Sequence, residues 1–467
     1  MGAWRLPAVH GLNRLGSLRP DSSRTVVASL FLLSAMVFGG GGSSAPASEL
    51  ITELLAIAAV MTWLALPAVS QARPLLRTLL TLTALVAVLP AIQLVPLPPA
   101  LWKAMPGRET EAAVLALIGR SDAWMPWTIS PYRTLASLLS LIPPLACLWF
   151  AASLDRRGRA ALVAIIAVGG SLSLLLGALQ LADGAGRTWR FYADNPGFLN
   201  GFQASRNAQA DVMLIAALAV AASVASLPKQ TGNRLAQAGA AAGSAILLLG
   251  CVLTGSRTGV VMIPLAAALV GLTLEPRLWR PRNLVLVVAI GLAPLLLLAL
   301  ALAAQNQALG AVTARFTLER DFRLELWRDT WTAVTRTWPF GSGVGTFRPA
   351  FTAAERLEVV DPTHPVRAHC DYLEFVLEGG VAAIAVLVAG GTLLAARVRK
   401  ALRHCRAGEV PSLLFCIGCL GVIALHSFID YPVRSMALAC IAATAVGIVF
   451  AIGGRPQASG SGGLASG

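Results

Sequence analysis

Twelve apolar runs divide this chain of 467 residues, most of them long enough to cross a bilayer as a helix. A hydrocarbon core about 30 Å thick needs roughly 20 consecutive apolar residues at the helical rise. The runs lie near 25–42, 50–70, 76–95, 133–153, 160–182, 207–227, 236–254, 258–275, 283–304, 373–396, 411–428 and 433–453, and Gly39–Gly42 end the first one early. Composition agrees. The chain is 56% hydrophobic and 13% charged, whereas a soluble globular chain carries about a quarter charged residues. No polar stretch is long enough for a sizeable soluble core of its own. The expected fold class is all-α, a polytopic helical membrane protein of about 12 transmembrane helices.

Loop charge sets the direction. With Arg5, Arg14, Arg19 and Arg24 inside, the other inside loops carry Arg73/Arg77, Arg156/Arg157/Arg159, Lys229/Arg234, Arg277/Arg280/Arg282 and a basic set from Arg397 to Arg406. Every short inside loop is basic, as the positive-inside rule requires. An even number of spans returns the C-terminus inside, where 454–467 reads as a flexible Gly/Ser tail. The expected divisions are 1–304 with about nine spans, 305–372 as a long external loop, 373–453 with about three spans, and the tail. The formal charge of +14 belongs to this loop pattern; the basic residues are spread out rather than gathered into a domain that would grip nucleic acid. Cys416 and Cys419 form a lone C-x-x-C inside an apolar run, which points to packing and not to zinc. No small-residue cleavage site follows the first apolar run, so a retained helix is expected there.

The external segments differ in kind. One, 97–132, holds Trp102, Trp124 and Trp127, residues favoured at a membrane–water boundary, and is expected to include an interfacial helix. The longest, 305–372, contains 319–337, where Leu324, Trp327, Trp331 and Val334 recur at helical spacing and predict an amphipathic helix on or near the membrane surface.

The unusual polar signatures all fall on that external side. Arg206 stands in GFQASRNAQAD at the start of the sixth run, Arg257 in the tight GSRTG turn, and Arg323 in RLELW. A guanidinium stays charged and presents a fork of donors that matches phosphate oxygens, so three facing one compartment suit a diphosphate. His369 opens the stretch His369-Cys370-Asp371-Tyr372-Leu373-Glu374, with Glu378 and Gly379–Gly380 about one turn later. An imidazole there can take a proton from a hydroxyl near neutral pH, with Asp371 or Glu374 expected to orient it. His426, followed by Asp430 and Tyr431, is expected to support the same site. The glycine-rich Gly341–Phe347 lacks the lysine and Ser/Thr of a phosphate-cradling loop, and a tight turn whose backbone donors approach the site is expected instead.

In this order the pieces resemble the O-antigen ligase/polymerase superfamily of bacterial envelope glycosyltransferases, over the membrane plan and in detail across about residues 195–435. Carrying the resemblance are Arg206-Asn207, Arg257 in a short external turn, Arg323 four residues before Trp327, and Pro339 to Phe347 as Pro-x-Gly-x-Gly-x-Gly-x-Phe. His369 to Leu373 before a span and His426-x-x-x-Asp430 complete the set. Cys370 stands where the family usually has asparagine, and Ala208 where many members have histidine.

The resemblance implies an enzyme of the bacterial inner membrane, with cytoplasmic termini and its site in the periplasm; 305–372 is then a large periplasmic loop containing amphipathic helices. It implies transfer of a glycan from an undecaprenyl-diphosphate carrier to an acceptor hydroxyl, on lipid A core or on a growing polysaccharide, inverting and without metal or other cofactor. His369 and Arg257 would be catalytic, and Arg206, Asn207, Arg323, Asp371, Tyr372 and His426 would bind diphosphate or substrate. Membrane lipid is the other expected partner. A flippase for lipid-linked glycan is the alternative, disfavoured because no internal repeat is visible and the polar residues cluster at span ends.

Overall fold

The structure, a computed structural model, describes residues 20–42, 46–67, 73–183, 189–192, 195, 197–227, 233–275, 322–360 and 364–453. Among these, nine helices are long and apolar enough to cross a membrane, and two shorter apolar helices cover Ser22–Phe38 and Met436–Ile452. The expected span 283–304 lies outside the described residues, as do the expected tail and 305–321 of the long loop. In chain order the first helices are α1 (Pro20–Phe38), α2 (Pro46–Ala65) and α3 (Arg73–Gln93). Then come α4 (Pro99–Trp102), α5 (Glu109–Leu117), α6 (Pro131–Leu139), α7 (Ile142–Ser153), α8 (Arg156–Ala182), α9 (Arg206–Ala225), α10 (Asn233–Leu253) and α11 (Arg257–Leu274). The last are α12 (Arg323–Thr337), α13 (Phe347–Thr352), α14 (Asp371–His404), α15 (Val410–His426) and α16 (Met436–Gly453).

At the centre stands α9, which packs against α8, α10, α11 and α15. Fourteen of its residues are buried, half of them alanine, so its neighbours approach its backbone closely. A Cβ on Gly170 of α8 would lie 2.2 Å from Ala216, and one on Gly259 of α11 would lie 2.6 Å from Ala210. Small residues at such crossings replace the hydrophobic driving force that lipid does not supply. The expected span 133–153 is present as Pro131–Ser153, made of α6 and α7 in succession. Pro143 and Pro144 begin α7 with no backbone N–H to offer, so the helix breaks just before them.

Between α3 and α6, β1 (Pro96–Leu97) pairs antiparallel with β2 (Met125–Pro126), Pro96 opposite Pro126. This ladder closes a small unit around Trp102, which is fully buried and donates its indole N–H to the Ala123 carbonyl at 3.0 Å. The surface role expected of Trp102 is therefore corrected: it is the core of its own segment, while Trp124 is exposed. The helix expected within 319–337 is α12. Leu326, Ala333 and Val334 pack with Phe347 and Phe351 of α13 and with Leu377 of α14, whereas Leu324 and Trp331 are exposed. Of the four expected apolar positions, Val334 faces the packed side, while Leu324 and Trp331 point outward.

The Gly341–Phe347 loop does not reach the polar cavity described below, contrary to expectation. Its donors serve α14 and α3: Gly343 N–H donates to the Glu378 carbonyl at 2.8 Å and Val344 N–H to Gln93 Oε1 at 2.8 Å. The loop locks against a kink in α14 at Gly380, which has φ 56° and ψ −137°. A Cβ on Gly380 would meet the Pro339 carbonyl oxygen at 2.0 Å. Gly380→Ala is expected to lower the melting temperature of the detergent-purified protein. Backbone strain alone costs about 1–3 kcal/mol, and a melting temperature equal to wild type would show that the kink relaxes freely.

Candidate active site

Two helices begin with the same dipeptide, Ser205-Arg206 and Ser256-Arg257. Each serine caps its helix: Ala208 N–H donates to Ser205 Oγ at 3.4 Å and Gly259 N–H to Ser256 Oγ at 3.2 Å. Each arginine thus occupies the first helical position, beside unpaired N–H groups and the positive end of the dipole, an arrangement that favours anions. The two ends are neighbours. Phe198 lies between them, its ring centroid 5.1 Å from Arg206 Cζ and its edge 2.5 Å from where a Gly255 Cβ would stand. Arg323 likewise opens α12.

Beside Arg206 is a cavity of about 280 Å³, walled by Gly40–Gly42 after α1, the head of α9, residues 366–369 and residues 430–435. His369 faces it with φ at 49°, a left-handed backbone uncommon outside glycine and a mark of functional positions. Its Nδ1–H donates to Asp430 Oδ1 at 2.9 Å, and Asn207 Nδ2 donates to Asp430 Oδ2. One carboxylate thereby ties α9, the stretch before α14 and the turn after α15 together. It also fixes the imidazole tautomer, so Nε2 is the ring nitrogen left for the cavity. Phe322 and Tyr431 brace the ring edge-on at 5.3 and 4.9 Å. Burial pushes the Asp430 carboxyl up, but the hydrogen bond and charge of His369, with His426 and Asn207, outweigh it and hold the carboxyl below its ordinary range.

A second His–Asp pair lies one turn deeper. Asp211 follows Asn207 by four residues on α9, as Asp430 follows His426 across the end of α15, so the two rungs stack. His426 Nδ1 and Asp211 Oδ1 are 2.7 Å apart, and both side chains are fully buried. Burial without water leaves each dependent on the other.

Behind His369, α14 presents Asp371, Glu374 and Glu378 on one face to a single guanidinium. Arg434 meets Glu378 at 2.7 Å, Glu374 at 3.3 Å and Asp371 at 3.8 Å. Burial opposes the Arg434 charge, yet the three carboxylates push its pKa further up. Glu374 also accepts from Arg367 Nη1 and from Ala368 N–H, both at 2.9 Å, which holds the stretch leading to His369. Arg434 and Arg367 both reach the cavity wall.

The expected residues separate accordingly. His369, Arg206 and Asn207 share the cavity. Arg257 and Arg323 do not wall it: they open α11 and α12, and Phe198 stands between Arg206 and the turn at Gly255. His426 is a buried partner of Asp211 rather than a wall residue. Asp371 and Glu374 do not orient His369; Asp430 does, because both acids are spent on Arg434, Arg367 and backbone donors. Asp371 accepts from Ser427 Oγ at 3.0 Å and Val433 N–H at 3.3 Å. Tyr372 donates to the Ala424 carbonyl at 2.9 Å with its ring against Phe428, outside the cavity wall. Burial pushes the Cys370 thiol up, so it stays neutral at the start of α14.

Asp211, Arg367 and Arg434 were given no role from sequence. The signal for Asp211 was present, since a carboxylate inside an apolar span is functional by default. For Arg434 it was the acidic face of α14, which needs a cation from somewhere.

The fold and the cavity define a multi-pass membrane protein with a polar, cation-rich pocket at one end of its bundle. Residues 242–388, about a third of the chain, match the family model described as O-antigen ligase. The match supports a membrane glycosyltransferase of the ligase/polymerase type. The matched stretch holds Arg257, Arg323 and His369, while Arg206, Asn207 and Asp430 lie outside it. No curated protein matches the chain significantly.

Arg434→Leu is expected to lose folded, inserted protein, because it leaves three buried carboxylates facing one another. Removing one partner of a buried pair costs about 3–5 kcal/mol; size-exclusion yield at wild-type level would contradict this. For Asp430 the folded pKa is below the unfolded one near about 3.9. Its stabilisation is therefore complete above that value and is lost as pH falls through the folded pKa. The melting-temperature gap between wild type and Asp430→Asn is expected to be constant from about pH 8 to about pH 5 and to narrow below about pH 4; a gap that widens on acidification would refute the assignment.

Proposed function

We propose that the protein transfers a glycan from an undecaprenyl-diphosphate carrier to an acceptor hydroxyl at the periplasmic face of the bacterial inner membrane. The acceptor is lipid A core or a growing polysaccharide. The observation that carries this is the Asn207–Asp430–His369 chain ending on a cavity beside Arg206. His369 Nε2 takes the proton from the acceptor hydroxyl as its oxygen bonds to the anomeric carbon, from the face opposite the leaving group. The bond from that carbon to the phosphate oxygen breaks, and its electron pair leaves with the diphosphate. Asp430 stabilises the imidazolium that forms and keeps the tautomer correct.

Arg206 and Arg257, on adjacent helix N-termini, receive the charge that develops on the diphosphate, and Arg323 adds a third cation. Positioned charge away from bulk water is often the largest catalytic contribution, so cationic side chains take the part that a metal plays elsewhere. Inversion follows from a single displacement.

Lipid-linked glycan and acceptor are to be incubated with purified protein. His369→Ala is expected to reduce transfer by about two to four orders of magnitude, the usual worth of a positioned base, while the protein still inserts. Near-normal product from His369→Ala would sink the mechanism, and movement of the lipid without a new glycosidic bond would favour the flippase.

A further inference from the structure

Asp211 takes no part in the steps above, yet it stands on the cavity wall. His426 holds its Oδ1, but among the described residues Asp211 Oδ2 and His426 Nε2 have no hydrogen-bond partner, although both side chains are fully buried. A buried acceptor without a donor is costly, and such orphans in a folded protein call for an explanation. Asp211 follows Asn207 by four residues, so it looks into the cavity from the same face of α9. It lies five residues deeper than Arg206, about 7.5 Å along the axis, within reach of one pyranose ring.

Charge sign sorts what can occupy the two levels. The cation at the helix head attracts phosphate, and the carboxylate below repels it but accepts hydrogen bonds from neutral donors. We propose that Asp211, with His426 as its counter-charge, forms a hydroxyl-recognition subsite: Oδ2 accepts a hydrogen bond from a hydroxyl of the sugar attached to the carrier diphosphate. This rests on the functional reading above and adds a determinant of donor specificity to it. A site built to bind a hydroxyl rejects analogues lacking one, because its own polar group is then left unpaired.

The test measures binding to full-length protein in nanodiscs. The probes are undecaprenyl diphosphate and its monoglycosylated forms bearing glucose, galactose or N-acetylglucosamine. Wild type is expected to hold at least one glycosylated lipid more tightly than the bare one. Asp211→Asn is expected to weaken that lipid about 10- to 100-fold and to leave the bare lipid unchanged. If Asp211→Asn alone does not insert, the Asp211→Asn/His426→Gln double variant removes both buried charges and is read in the same way. A variant that keeps the wild-type preference overturns the subsite, as does wild type binding all four lipids equally. Wild type binding none of them overturns the functional reading together with the subsite.

Discussion

One half-buried guanidinium, that of Arg434, organises the end of the bundle where the cavity lies. Asp371, Glu374 and Glu378 share a face of α14 and are almost wholly removed from solvent, an arrangement that mutual repulsion would not permit without Arg434. The same carboxylates then reach outward. Glu374 secures Ala368, the residue before His369, and Glu378 accepts from Phe347 N–H at the foot of the glycine-rich loop. Asp371 holds Ser427 and Val433, which flank Asp430. The positions of His369 and of the carboxylate that serves it both follow from where Arg434 stands.

On that base the two His–Asp rungs join α9 to the end of α15. The upper rung is partly open to the cavity through His369, whereas the lower one is fully buried and meets the cavity only at Asp211. The environments match the work each can do. A group that must exchange protons with a substrate needs access, and a buried charged pair needs a partner that does not leave. Because α9 is gripped on all sides by close-packed helices, Asn207 and Asp211 sit on a rigid element, and catalytic geometry tolerates little looseness.

Much of the plan was legible in the chain. Ser205-Arg206 and Ser256-Arg257 announce helix starts by a rule that acts within a single turn. Apolar length marked the spans, although one of them, 133–153, is built from two successive helices. Trp102 was misplaced. A tryptophan at a membrane boundary and a tryptophan in the core of a small loop unit look alike until the β1–β2 ladder closes around it.

The order of residues along the chain was enough to indicate a helical membrane protein and the ends of most of its helices. These are properties of neighbours one to four positions apart, set by backbone hydrogen bonding and the thickness of a bilayer. Which carboxylate serves His369 was settled only by packing. Asp371 is two residues away in sequence and faces Arg434, while Asp430, 61 positions away, faces the imidazole. Asn207 reaches that same carboxylate across 223 positions. Contacts over such separations arise when whole helices dock, and their partners are chosen by which polar groups must be neutralised in a place water does not enter.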